Sequence, residues 1–199
     1  MPALLIEGAD LVGKSTAIRD LSSSDQRKRY EAAADVSVRD VRVMSRGPFP
    51  KEPGYWGLYD EYVTPIWSDV HSWRRHYWLM DRWHLGEFVY PPIVGRESQY
   101  SDWDDLVGLD KEISQACGPV KVVMYANDPD ILCDRYDRRG DSLLTEDQII
   151  DANDAYVSLL PDLRRLGWRD IAIDGMSQHE IISKLFDIWM LGTNLWSAE

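Results

Sequence analysis

Cysteine is scarce in this sequence, with only Cys117 and Cys133 among 199 residues. The pair fits no metal-ligand spacing and builds no framework of bridges, so the fold must rest on an apolar core and a reducing compartment is expected. Basic residues are outnumbered: 22 lysines and arginines stand against 34 aspartates and glutamates, a net charge of −12. That deficit argues against a chain that lives on nucleic-acid backbone or on an anionic membrane, both of which reward a basic face. It leaves polyphosphate ligands open, because a few local cations and backbone amides hold a phosphate inside an acidic protein. No apolar run approaches the roughly 18 residues of a membrane span. The opening Met1-Pro2-Ala3-Leu4-Leu5-Ile6-Glu7 also lacks the basic leader of a signal peptide. With 44% apolar and 28% charged residues, and neither repeat nor linker, a single cytoplasmic domain over 1–199 is expected, with no membrane partner.

What is present alternates between two periodicities. Ala3–Glu7 is a short apolar run before a glycine-rich turn, the pattern of a buried parallel strand. Ala17, Ile18 and Leu21 then recur at helical spacing until Ser22-Ser23-Ser24, and Gln26–Ala34 carries a faint helical pattern. Val36, Val38, Val41 and Val43 suggest a second strand, stopped at Arg46-Gly47-Pro48. Between Pro53 and Trp73, Tyr55, Leu58, Tyr62 and Ile66 fall near one helical face. His76–Asp81 is the third strand candidate, and Leu85–Tyr90 a helix cut by Pro91-Pro92. Asp102–Ala116, Asp130–Arg139, Thr145–Leu160 and Ser177–Leu191 read as helices, with capping patterns at Thr145/Gln148 and Ser177/Glu180. Val120–Ala126 and Ile171–Asp174 complete the strands. Strand and helix alternating in this way predict a three-layer α/β/α domain on a parallel five-stranded sheet.

Gly8-Ala9-Asp10-Leu11-Val12-Gly13-Lys14-Ser15 follows the first strand and opens the first helix, which is the G-x-x-x-x-G-K-S phosphate loop in its proper context. Gly8 and Gly13 permit backbone angles that let consecutive N–H groups face a phosphate. Lys14 supplies a charge for the β and γ oxygens, Ser15 a hydroxyl for Mg²⁺, and the helix its positive end. Gly8, Ala9, Asp10, Val12, Gly13, Lys14, Ser15 and Thr16 are therefore expected to bind ATP. The alternative is a chance glycine-rich turn with an exposed lysine.

Asp81-Arg82 should sit at the carboxyl edge of a strand, the edge that faces the ligand crevice in open α/β sheets. Asp81 could orient the attacking oxygen or a metal-bound water, and Arg82 could clamp a phosphate with two hydrogen bonds. An ion pair closing a strand is the plainer reading. Arg135, Arg138 and Arg139 lie three and four apart, so Arg135 can share a helical face with either of the others. Such arginines, brought over a transferring phosphoryl group by a lid of about 135–145, would stabilise its charge. A solvated turn paired with Asp134, Asp137 and Asp141 is the alternative. Most of the nine tryptophans must be packing, because large aromatics dominate cores.

Glu7-Gly8-x-Asp10-x-x-Gly13-Lys14-Ser15-Thr16 resembles the E-G-x-D-x-x-G-K-S-T loop of thymidylate kinases and their phage-encoded relatives, although Leu11 stands where the family usually has a small residue. Asp81-Arg82-x-x-x-Gly86-Glu87-x-x-Tyr90 and Arg135-x-x-Arg138-Arg139-Gly140-Asp141 resemble later segments of the same phage proteins. The resemblance implies a P-loop fold of the nucleoside monophosphate kinase type with a lid. Lys14, Asp81, Arg82, Arg138 and Arg139 would carry the chemistry and Arg135 would assist at the nucleotide. Asp10 would lie near the acceptor's sugar, Glu87 in its sugar or base pocket, and Arg82, Arg96 and Arg46 near its phosphate. Lys51-Glu52-Pro53-Gly54 competes with Arg46 for the last role. Asp10 could instead cap the first helix, Glu87 could be an exposed helix-start acid, Arg96 a surface arginine, and His84 is better read as packed than as catalytic.

The expected reaction is transfer of the γ-phosphoryl of Mg-ATP to a deoxynucleoside monophosphate, dTMP or a related pyrimidine, in the host cytoplasm if the chain is phage-encoded. A homodimer follows from the resemblance alone. The alternative is a kinase acting on a nucleoside or on a modified pyrimidine in DNA, such as 5-hydroxymethyluracil, where nucleic acid would be the partner. A nucleotide-driven switch is disfavoured by the lack of an N-K-x-D sequence and of D-x-x-G after the second strand.

Overall fold

A computed structural model describes residues 3–34, 40–45, 62–64, 66, 76–98, 100–140 and 143–194. Its centre is strand β1 (Ala3–Gly8), six residues buried on both faces, as an apolar run between two layers of helices requires. β1 pairs with β3 (His76–Asp81) on one side and β4 (Val120–Tyr125) on the other. β2 (Asp40–Ser45) joins β3, and β5 (Arg169–Ala172) joins β4. The sheet is parallel throughout, in the order β2-β3-β1-β4-β5, so the five-stranded expectation holds. Val36 and Val38 of the expected second strand lie outside the described residues, as does the 53–73 segment except at 62–64 and 66, where Tyr62, Val63 and Ile66 are buried.

Helices α1 (Lys14–Leu21) and α2 (Ser24–Ala34) pack with the last helix, α7 (Gln178–Asn194), as one layer. The other layer holds α3 (Gly86–Val94), α5 (Asp130–Arg139) and α6 (Glu146–Arg165), with α6 lying against β1, β4 and β5. Helix α4 (Trp103–Cys117) starts at Asp102, whose carboxylate accepts from the Asp104 amide, and ends at a left-handed Gly118. Both expected capping boxes form. At Thr145/Gln148 and at Ser177/Glu180, each side chain accepts from the other residue's backbone N–H.

Two helices run past the bounds expected from the sequence, 85–90 and 145–160. α3 runs through Pro91 and Pro92 to Val94, and α6 runs through Pro161 to Arg165. A proline removes one intrahelical donor, and burial of Pro91 against the core holds the helix past that loss. The last strand covers 169–172 rather than 171–174, although the Ile173 amide still donates to the Tyr125 carbonyl.

Candidate active site

β1 delivers the chain to Gly8, which has φ +137°. A Cβ there would lie 2.1 Å from the Met124 carbonyl oxygen of the neighbouring strand, so no side chain fits. Gly13, at φ +102°, precedes α1, and neither a side-chain cap nor a first-turn acid masks that helix end. Its amides and positive dipole end therefore remain available to an anion. Ala9 and Val12 are buried in the core, which leaves only their backbone to face a ligand, and Thr16 is half-buried. Lys14 is also buried and donates to the carbonyls of Gly8, at 2.7 Å, and Ala9. Burial pulls its ammonium down to about 8, against the charges of Asp81 and Glu7, which hold it up. The Ser15 hydroxyl donates to Asp81 Oδ2 at 3.1 Å. The other oxygen of Asp81 is buried without a hydrogen-bond partner among the described residues.

Asp81 closes β3 opposite Ile6 of β1, so the strand edges bring it to the phosphate loop. Arg82 follows in the left-handed region at φ +57°, its amide donating to the Ile6 carbonyl at 3.0 Å. Its guanidinium pairs with Asp10, whose second oxygen accepts from the Tyr90 hydroxyl at 3.0 Å. Asp10 is thus bound to Arg82 and not to the end of α1, which rejects the helix-cap alternative.

Glu87 is fully buried, which corrects the reading of it as an exposed acid. Its carboxylate accepts from Tyr62 at 3.0 Å and from Arg96 at 2.7 Å. The Arg96 side chain is 7% exposed, so it is not a surface arginine. This ion pair borders a cavity of about 530 Å³ walled by Phe88, Pro91, Ile93 and Leu159. His84 is packed, its Nε2 lying 3.0 Å from Asp110, which also accepts from Lys121 at 2.6 Å and Trp168 at 3.1 Å.

Of the three arginines of α5, Arg135 reaches inward and donates to the Leu11 carbonyl at 2.6 Å. Burial, and then the Arg138 charge, lower its pKa. Arg138 lies exposed, 3.5 Å from Asp134, and Arg139 is exposed as well. Arg46 and the competing Lys51–Gly54 lie outside the described residues. Four contacting residues escaped the sequence reading as site residues. Glu7 and Tyr90 stood inside the motifs without a role, whereas Tyr62 and Tyr156 carried no local signal.

The parallel sheet, the glycine-bounded loop between β1 and α1, and the acid–arginine pair ending β3 define a P-loop fold. No family model matches the chain, and no curated protein matches it. Among solved structures, it is similar to the YorR protein of Bacillus subtilis, determined in complex with phosphorylated GDP. That match has 15% identity and a TM-score of 0.55 over 96% of this chain and 98% of that one. Thymidylate kinase from Candida albicans matches at 16% identity and a TM-score of 0.53, over 97% and 92% of the two chains. At these identities the likeness establishes the fold alone, a parallel five-stranded sheet between two layers of helices.

Proposed function

We propose that the chain is a nucleotide kinase moving the γ-phosphoryl of ATP onto a deoxynucleoside monophosphate, dTMP or a related pyrimidine. One observation carries the reading. At the adjoining edges of β1 and β3, the Ser15–Asp81 hydrogen bond of 3.1 Å stands beside the Asp10–Arg82 ion pair. Donor machinery and an acceptor-side cation therefore meet at one point of the sheet, as in-line transfer requires.

Ser15 and Asp81 suit Mg²⁺, since a hydroxyl and a buried carboxylate oxygen lacking a partner among the described residues are the donors a hard cation takes. When bound, the ion neutralises charge on the phosphates. Lys14 exchanges the Gly8 and Ala9 carbonyls for phosphate oxygens, while the amides of the loop and of α1 hold the rest of the nucleotide. Asp81 orients the attacking oxygen, and Arg82 grips the acceptor phosphate in two-pronged fashion. Arg135 sits against the loop, and Arg138 and Arg139 belong to a lid of about 135–145 that brings charge over the transferring group. Glu87 faces the sugar and base side, and Arg96 reaches toward the acceptor phosphate. Support for the acceptor class comes from the E-G-x-D and D-R-x-x-x-G-E-x-x-Y resemblances.

The test is incubation with Mg-ATP and, separately, each nucleoside, each nucleoside monophosphate and DNA carrying modified pyrimidines, followed by detection of ADP and product. ADP formation with a deoxypyrimidine monophosphate is expected, with little salt dependence between about 50 and 200 mM. Label entering DNA alone would install the DNA-base reading instead, and no transfer to any acceptor would refute a kinase.

A further inference from the structure

We infer that Glu7 is a positioning residue for the acceptor cation, its buried carboxylate setting the turn that aims Arg82. The inference rests on the acceptor role proposed for Arg82. A non-glycine residue keeps a left-handed backbone only where its surroundings over-determine it. The backbone of the turn at Arg82 is held from β1. The Arg82 amide donates to the Ile6 carbonyl at 3.0 Å, and the amides of Trp83 and Leu85 both donate to Glu7 Oε1, at 2.7 and 3.1 Å. Amides gathered around a left-handed residue make an anion-binding concavity, and here the anion is the protein's own.

The second Glu7 oxygen accepts from the Tyr156 hydroxyl of α6 at 3.2 Å. Tyr156 meets Tyr90 edge-on, ring centres 6.3 Å apart, and Tyr90 donates to Asp10, the partner of Arg82. Glu7 at the end of β1 and Asp10 in the loop after it, three positions apart, thus hold the turn and the guanidinium of the same residue. Glu7 is fully buried, and desolvation raises its pKa despite His84, the Trp83 amide, Lys14 and the Tyr156 hydroxyl. A buried carboxyl group needs partners to offset its desolvation, and two of the three donors that Glu7 takes are the backbone amides of the Arg82 turn.

Glu7→Gln keeps the volume and one acceptor oxygen but removes the charge, and Glu7→Ala removes the staple altogether. For both variants, kcat and the two KM values are compared with the wild-type protein using Mg-ATP and dTMP. In Glu7→Gln the ratio of acceptor KM to ATP KM is expected to rise at least threefold, with melting no lower than wild type. In Glu7→Ala the ratio rises at least tenfold. A ratio in Glu7→Gln within threefold of wild type, whatever the melting temperature, overturns the inference. Glu7→Gln decides alone if Glu7→Ala does not fold. The Arg82 guanidinium resonance in ¹⁵N spectra serves independently of turnover. It is expected to be slow-exchanging in the wild type and solvent-averaged in the variants, and an unchanged resonance counts against Glu7. A wild-type protein without transfer activity would refute the proposed function, and the resonance would still judge the hold of Glu7 on Arg82.

Discussion

Replacing Lys14 by methionine is expected to stabilise the ligand-free protein while abolishing phosphoryl transfer. The ammonium is buried, and its pKa falls from the ordinary 10.5 to about 8 because desolvation outweighs Asp81 and Glu7. At 1.36 kcal/mol per pH unit, that difference sets a standing cost of about 3 kcal/mol for holding the charge in the folded state near neutrality. Methionine keeps the unbranched stem and removes the charge. It also forfeits the donations to the Gly8 and Ala9 carbonyls, roughly 1 kcal/mol each. The net gain is about 1 kcal/mol, or some 2–4 °C in melting temperature for a chain of this size. The sign with pH follows from the depressed folded-state pKa. The folded wild type releases its proton near pH 8 while the unfolded chain keeps it up to about 10.5, so the wild type gains stability across that window. The advantage of the variant should therefore shrink above pH 8 and reverse near the top of the window. Thermal unfolding of both proteins from pH 7 to 10.5, without nucleotide or magnesium, measures it. A methionine variant that melts below the wild type at pH 7, or a gap that stays constant with pH, would refute the reasoning. Added ATP should raise the melting temperature of the wild type far more than that of the variant.

The remaining expectations test packing and site separately. Gly8→Ala drives a Cβ to within 2.1 Å of the Met124 carbonyl, a backbone clash expected to cost more than about 4 kcal/mol and visible as lost soluble yield or a collapsed melting transition. Asp110→Ala strips the buried Lys121 ammonium of its carboxylate, with an expected loss of about 3–5 kcal/mol in denaturant titrations. Burial alone would raise the Asp110 pKa, but His84 and Lys121 hold it below 3.8. Its stabilisation is therefore present above that pH and lost as pH falls through the lower folded value, so Asp110→Asn should flatten the acid limb of the stability curve. Asp81→Asn should lower kcat by about a hundredfold or more with little change in ATP affinity. Arg82→Ala should instead weaken acceptor binding by about 2–3 kcal/mol, read by calorimetry with dTMP. A loss confined to ATP binding would reverse the two sides of the site.

The strand-loop-helix that carries Gly8, Gly13, Lys14 and Ser15 is legible in the sequence, because local backbone demands and an adjacent buried strand are written in consecutive residues. So are the alternation of strands and helices and both capping boxes, which rest on spacings of a few residues. The full lengths of α3 and α6 are not legible there, since burial of Pro91 in α3, and of Leu160 and Leu163 on either side of Pro161 in α6, outweighs the proline penalty. What Asp10 and Glu87 touch follows from long-range packing. Asp10 meets Arg82 across 72 positions, and Glu87 is removed from solvent by Tyr62 and Arg96. The same holds for Glu7, whose partners Trp83 and Tyr156 are 76 and 149 residues away. A carboxylate reads identically in sequence whether it faces water or a set of buried donors. Its role is fixed by which strands lie side by side, and that depends on packing summed over the whole chain.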